Sequence, residues 1–263
     1  MLDYNLRDLQ LRLLQNLKEV DRVCRQHNLC YYIEAGTMLG AVRHGGFIPW
    51  DDDVDIVMPR PDYDTLLRHS KEWFSAPYVM MSGASHEGYI HPFAKLVDSS
   101  TTVVERGVRL GVYVDIFPID GMTENRCAQR RHLRRYHRLR KMLYFVCRDP
   151  YKHGHGVSSW LPLICKKIYS YRSIHDAIIK KQKQYDYSLC TMTIDHDFNA
   201  RGIMPKSYYG TPTEIEFEGH RFFGVEHPHE YLSQVYGPDY MTPPPPESRH
   251  QHSFTSVDLT KGV

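Results

Sequence analysis

The 263-residue sequence lacks any apolar stretch near the roughly 20 residues a membrane-spanning helix needs, so no transmembrane segment is expected. It also lacks a secretory leader pattern: Met1 to Leu17 carries charge every few residues where an uninterrupted apolar run would stand. A cytoplasmic location is the default expectation. There is no C-x-x-C pair. The six cysteines, Cys24, Cys30, Cys127, Cys147, Cys165 and Cys190, are scattered, which suits reduced thiols. The His-x-His pairs at 153/155, 227/229 and 250/252 have no cysteine at finger spacing, so structural zinc is not expected. Internal repeats are absent, and a hydrophobic fraction of 41% excludes disorder throughout. Acidic residues are missing altogether from Arg126 to Lys141, so the net charge of +2 conceals an uneven distribution.

What is present reads as a mixed α/β (α+β) chain. Leu6, Leu9, Leu13, Leu17, Val20 and Val23 or Cys24 recur at three-to-four spacing and predict an amphipathic helix. Leu29 to Glu34 is a short β-rich run ending at Gly36. Thr37 then opens about two helical turns, Met38 to Arg43, which Gly45-Gly46 terminate. Phe47 to Pro59 reads as a loop entering a strand, and Asp62 to Phe74 as a helix. Further strands are predicted at Tyr78 to Met81, Thr101 to Val104 and Val112 to Phe117. Beyond Thr123 the pattern turns helical: Glu124 to Val146, then two helices within Leu161 to Leu189 that break around Ser173. Ile215 to Val225 forms a hairpin about Glu218-Gly219, a short helix runs from His229 to Tyr236, and prolines 243 to 246 force an extended tail. The resulting division is a scaffold helix at 1–28, a catalytic core at 29–121 and a helical subdomain with hairpin and tail at 122–263.

The informative stretch is Trp50-Asp-Asp-Asp-Val-Asp-Ile56. In extended chain, residues two apart share a face, so Asp51, Asp53 and Asp55 point one way and Asp52, Val54 and Ile56 the other. Carboxylates so crowded repel unless cations lie between them, and hard oxygen ligands select magnesium or manganese over zinc. A solvated acidic turn is the bland alternative. A calcium loop fits the offsets of Asp51, Asp53, Asp55 and Asp62, but it needs glycine where Ile56 stands. The preceding Gly36-Thr37 offers backbone N–H groups at a helix start, a phosphate-binding arrangement.

A Gly-[Ser/Thr] turn, a D-x-D strand and a later carboxylate, here Asp115, together resemble the DNA polymerase beta-like nucleotidyltransferases. The resemblance narrows. The block from Glu34-Ala-Gly-Thr-Met-Leu-Gly to Pro49-Trp-Asp-Asp-Asp-Val-Asp-Ile56 is similar to the hallmark of the LicD family of phosphotransferases. Phe93-Ala-Lys-Leu96, Val114-Asp-Ile-Phe-Pro-Ile-Asp120 and Tyr236-Gly-Pro-Asp-Tyr-Met-Thr-Pro-Pro244 resemble its later motifs in the same order, so the likeness runs from about Leu29 to His252. Fukutin-related proteins share the first block, but the compact length and the last motif fit bacterial-type members better. Gly237-Pro238-Asp239 departs from the Gly-Asp of many members, which we read as a loop change.

The resemblance implies a polymerase-beta-like core with a mixed sheet and a helical C-terminal subdomain. It further implies transfer of phosphocholine, or a similar phospho-alcohol, from CDP-choline or a related CDP-alcohol. The acceptor would be a hydroxyl of a cell-surface glycan (teichoic acid, lipopolysaccharide or capsule) or of its lipid-linked precursor, and CMP would leave. Mg2+ or Mn2+ would sit on Asp53, Asp55 and Asp115, with Asp51 as a further candidate. Arg43 and Lys95 are candidate phosphate binders, against a surface or ion-pair role, and His44 is more often a loop residue than a base. Trp50 and Tyr113 are candidate partners for a choline head group, against a place in the core. The basic run 126–141 is compatible with an anionic acceptor, with peripheral association at the inner face of a membrane, or with a solvated helix face; no nucleic-acid-binding module is recognisable. Two other readings stay open: a nucleotidyltransferase acting on another acceptor, and a noncatalytic glycan- or nucleotide-binding module.

Overall fold

A computed structural model describes residues 4–105, 107–151, 155–156, 159–249 and 254–263; His153, His250 and His252 lie outside the described residues. Helix α1 (Leu6–Gln26) forms where expected. The Asn5 side chain accepts from the Arg7 N–H at its start, and Leu9, Leu13, Leu17, Val20 and Cys24 make a buried stripe against the sheet. Asn16 on the same face donates from Nδ2 to the Val112 carbonyl at 2.9 Å, which fixes the rotation of the helix as well as its burial.

Strand β1 (Tyr32–Ile33) leads into α2 (Ala35–His44), β2 (Asp55–Pro59), α3 (Arg60–Trp73), β3 (Tyr78–Met81), β4 (Ala94–Glu105) and β5 (Val108–Met122). The sheet runs β1-β2-β5-β4, with β3 also on β4; β2 and β5 are parallel and the other pairs antiparallel. Several boundaries differ from the sequence reading. α2 begins at Ala35, ahead of Thr37, and β4 and β5 extend well past the runs at Thr101 to Val104 and Val112 to Phe117. The β4 extension holds Lys95 and Asp98, polar residues that mask a strand read from apolar pattern alone.

Three helices follow: α4 (Arg126–Cys147), α5 (Trp160–Ile168) and α6 (Tyr171–Gln182). The α5–α6 break falls at Tyr169-Ser170 and not at Ser173, because Ser170 is the residue whose side chain accepts from the Ser173 N–H and caps α6. Tyr136, Leu143, Ile174 and Ile178 form a small separate core beneath these helices. The chain then returns to the sheet. β6 (Met192–Asp195) pairs with β5 from Ile119 to Met122, on the edge opposite β2, and β7 (Ile203–Pro205) pairs with β6. The expected boundary at Gly121 therefore lies inside β5, opposite Thr193 of β6.

A hairpin of β8 (Thr213–Phe217) and β9 (His220–Gly224) turns at Glu218 and Gly219, both at positive φ, and α7 (Pro228–Tyr236) follows. The proline run does not leave a free tail. Pro246–Ser248 makes one tight turn, and β10 (Phe254–Asp258) joins the outer edge of β4.

Candidate active site

Asp51, Asp52, Asp53 and Val54 precede β2, with the Val54 carbonyl accepting from the Asp115 N–H at 3.0 Å; of the expected strand aspartates, Asp55 alone lies in the strand. The facing nevertheless alternates as an extended chain requires. Asp51, Asp53 and Asp55 line one cavity of about 250 Å3, whereas Asp52 is buried and accepts a long hydrogen bond from the Tyr4 hydroxyl at 3.4 Å. Carboxylate oxygens of Asp51, Asp52 and Asp53 come within 4.8 Å of one another.

Several ties hold this segment. The Thr37 hydroxyl accepts from the Asp55 N–H at 2.9 Å, and the Asp55 carbonyl accepts from the Glu34 N–H at 3.0 Å. Thr37 thus positions β2 with its side chain, a role the sequence reading had not separated from phosphate binding. Glu218 of the hairpin turn accepts from the Phe47 N–H at 3.0 Å and pairs with Arg7, which pins the loop after Gly45. Gly45 ends α2 at φ 69°, a left-handed position that glycine adopts without strain. A Cβ at Gly36 would lie 2.6 Å from Asp51 Oδ2, so the carboxylate sits directly against the start of α2 and would have to swing away from any larger residue there. Negative charge at a helix N-terminus is favourable.

Register sets the deeper groups. Asp55 stands beside Asp115 on the parallel neighbour β5, and Lys95 of β4 stands opposite Asp115. Lys95 and Asp115 form a close buried ion pair, and the ammonium lies 3.5 Å from the centre of the Tyr113 ring. Asp115 is thus next to the cavity, its charge matched by Lys95 within the protein. Tyr113 is buried, donates from its hydroxyl to Glu105 and does not line the cavity. Trp50 is half-buried with the Arg249 guanidinium 4.1 Å from its ring centre, and His44 meets the ring edge-on. Arg43 donates to the Tyr240 carbonyl at 2.9 Å. Of the expected site residues, Gly36, Asp51, Asp53 and Asp55 line the cavity, whereas Thr37, Arg43, His44, Trp50, Lys95, Tyr113 and Asp115 do not.

The cavity also contains groups that the sequence reading did not assign: Glu34, Phe117, Asp195, Asp197, Phe198 and Tyr236. β6 delivers Asp195 opposite Ile119, and Asp195 Oδ1 accepts from the Asp197 N–H at 2.9 Å. Glu34 lies beneath, with Oε1 accepting from the Tyr231 hydroxyl at 3.2 Å. Asp195-His196-Asp197 is a second D-x-D; it closes strand β6, where Asp53-Val54-Asp55 opens β2. That repetition was the available signal.

Six carboxylates and no basic side chain line the cavity among the described residues. Burial, and after it Asp53 and Asp115, push the Asp55 carboxyl well above the ordinary range. Burial and then Asp195 do the same to Glu34, and burial and then Asp197 lift Asp195 to about 7. Glu34 Oε2 and Asp195 Oδ2 find no N–H or O–H donor from other groups among the described residues, so these two buried carboxyls are matched only by each other, across a proton they can share. Buried acceptors left without other donors are costly. A hard divalent cation satisfies such a set, and the donors are all oxygens, which is the chemistry magnesium or manganese takes.

A short helix start set against a carboxylate-bearing strand, beside a further strand carboxylate, is the arrangement of a nucleotidyltransferase-type domain. Comparison with known families gives the same class: residues 28–145 match the family model described as LicD/FKTN/FKRP, nucleotidyltransferase domain. Over that span the chain is similar to the LicD family. Over 257 residues it is 29% identical to the lipopolysaccharide cholinephosphotransferase LicD of Haemophilus influenzae, a match that covers 94% of this chain and 95% of that protein. Uncharacterized proteins of Rickettsia prowazekii and Rickettsia typhi are each 48% identical to it over 52 residues, 20% of this chain and 20% and 17% of theirs.

Proposed function

We propose that this chain is a transferase that moves phosphocholine, or a similar phospho-alcohol, from a CDP-linked donor to a hydroxyl of a cell-surface glycan or its lipid-linked precursor, with release of CMP. The observation that carries the reading is the cavity itself: Asp51, Asp53 and Asp55 converge on one face beside the start of α2. Near full-length similarity to a protein named as a lipopolysaccharide cholinephosphotransferase supplies the chemical class.

Asp51, Asp53 and Asp55 would hold Mg2+ or Mn2+, with Asp115 alongside and Asp195 and Asp197 on the facing wall. The bound cation would neutralise phosphate charge and polarise the phosphorus for attack. The remaining steps fall to the protein. An acceptor hydroxyl attacks the phosphorus bearing the alcohol, the P–O bond to CMP breaks, and the hydroxyl proton passes to a cavity carboxylate. Backbone N–H groups at the start of α2 orient phosphate oxygens. Lys95 holds Asp115 in place, and Thr37 holds Asp55. Phe117, Phe198 and Tyr236 are the aromatic side chains that line the cavity and that a choline cation would meet.

Purified protein is incubated with CDP-choline, CDP-ethanolamine and CDP-glycerol in magnesium, with and without candidate glycans, and CMP is measured. Glycan-dependent CMP release with at least one donor is expected. Nucleoside monophosphate found on the acceptor would assign a nucleotidyltransferase instead, and donor binding without any product would assign a binding module.

A further inference from the structure

We propose that α5 and the adjoining basic face of α4 dock this protein on an anionic lipid bilayer, with α5 lying in the interface. Trp160, Leu161, Ile164 and Ile168 are 63%, 49%, 52% and 63% exposed, and their spacing places them on one arc of about 100° around the helix. Pro162 and Cys165, the buried residues of α5, lie beyond the Leu161 edge of this arc, so the arc itself is turned to solvent. A contiguous apolar ridge of this kind marks an interaction surface. Lys167 borders the ridge beside Trp160 and Lys166 lies on the far side of the helix, both exposed, which suits a helix lying at a membrane surface.

Charge selects the partner. Residues 126–183 contain 16 of the 33 Lys and Arg and two of the 31 Asp and Glu. α4 packs against α5, and its Arg126, Arg130, Arg131, Arg134, Arg135, Arg138 and Lys141 are exposed. A soluble polyanion would match these cations and leave the apolar ridge in water, whereas an anionic bilayer satisfies both at once. No helix among the described residues is long and apolar enough to cross a membrane, so the association is peripheral. The inference does not depend on the transfer reaction, and its test reads binding alone.

Flotation with phosphatidylcholine vesicles, with and without phosphatidylglycerol, measures it on the full chain. Wild-type protein is expected to float with the anionic vesicles and not with the neutral ones, and the binding should weaken with salt. The triple variant Leu161→Ser, Ile164→Ser, Ile168→Ser, altered only at exposed positions, should keep its circular dichroism and bind at least about tenfold more weakly. Trp160→Phe should still bind but lose most of the blue shift in tryptophan emission, since Trp50 and Trp73 lie elsewhere. Wild-type protein that stays unbound to anionic vesicles at low salt overturns the proposal. So does a triple variant that floats as well as wild type while polyphosphate captures both equally, which would assign the face to a soluble polyanion.

Discussion

The acidic cavity and the basic helical face are built to different tolerances. At and beside the cavity several carboxylates are fixed by strand register or a local hydrogen bond: Asp55 through Thr37 and Glu34, Asp115 through Lys95, Asp195 through Asp197. The helical region rests on a small core of Tyr136, Leu143, Ile174 and Ile178, and most of its cations project into solvent. Phosphoryl transfer needs positioned charges, because misplacement by an ångström forfeits much of the rate. Recruitment of an anionic surface needs charge density and little geometry. The two regions are joined by a buried fork in which Arg60 of α3 holds Asp120 of β5 through two bonds of 2.7 Å and reaches Gln182 of α6.

The sharpest way to break this contrast is to neutralise the cavity. Asp53→Asn and Asp55→Asn should each lower transfer by roughly a thousandfold or more, since a lost metal ligand removes several kcal/mol of transition-state stabilisation. The same substitutions remove like-charge repulsion, so in metal-free buffer Tm should hold or rise. Turnover near the wild-type level in a folded variant would remove that residue from the site.

Arg60→Ala tests the joint between the regions. Stranding Asp120 in the interior should cost about 3 to 5 kcal/mol in urea unfolding, the usual penalty for breaking a buried pair from one side. A loss under about 1 kcal/mol would mean that water reaches Asp120 and that the two regions are only loosely coupled.

Acid should weaken the helical region through His132. Burial lowers its imidazole to about 4, so the unfolded chain takes up the proton first as pH falls. The stability is therefore present above the ordinary histidine value near 6.5 and lost progressively toward 4, by between about 1 and 2 kcal/mol at pH 5. Unfolding midpoints of wild type and His132→Gln at neutral and acid pH check this, and equal pH slopes would contradict it.

The smallest effect belongs to the basic face. Arg130→Gln, Arg134→Gln and Arg138→Gln together should raise the apparent acceptor KM severalfold at low ionic strength, leave kcat in place, and lose their effect as salt rises. Equal acceptor kinetics at low salt would make this face a solvated surface.

Much of this contrast was legible before any coordinates. Local signals carried the helices: the leucine stripe of α1, the uninterrupted basic run of α4, and Gly45 at the end of α2. The first D-x-D was readable because three aspartates at alternate positions precede an apolar strand. What lay hidden was non-local. Asp195 and Asp197 enter the cavity only because β6 takes the β5 edge that β4 leaves, a pairing that no short window contains. Tyr113 and Trp50 were candidates for a head group, against a place in the core, because they stand next to the key aspartates in the chain. In the structure their ring faces meet Lys95 and Arg249, and nearness in sequence did not place either one at the cavity.

The central claim is that the cavity carboxylates hold the divalent ion on which transfer depends. Titration of metal-stripped protein with Mn2+, with bound ion read by electron paramagnetic resonance and CMP release read in the same samples, tests it most directly. The account predicts that CMP release rises with bound Mn2+, and that Asp53→Asn loses both together while remaining folded. Full turnover in chelator, or undiminished Mn2+ binding by Asp53→Asn, would contradict it.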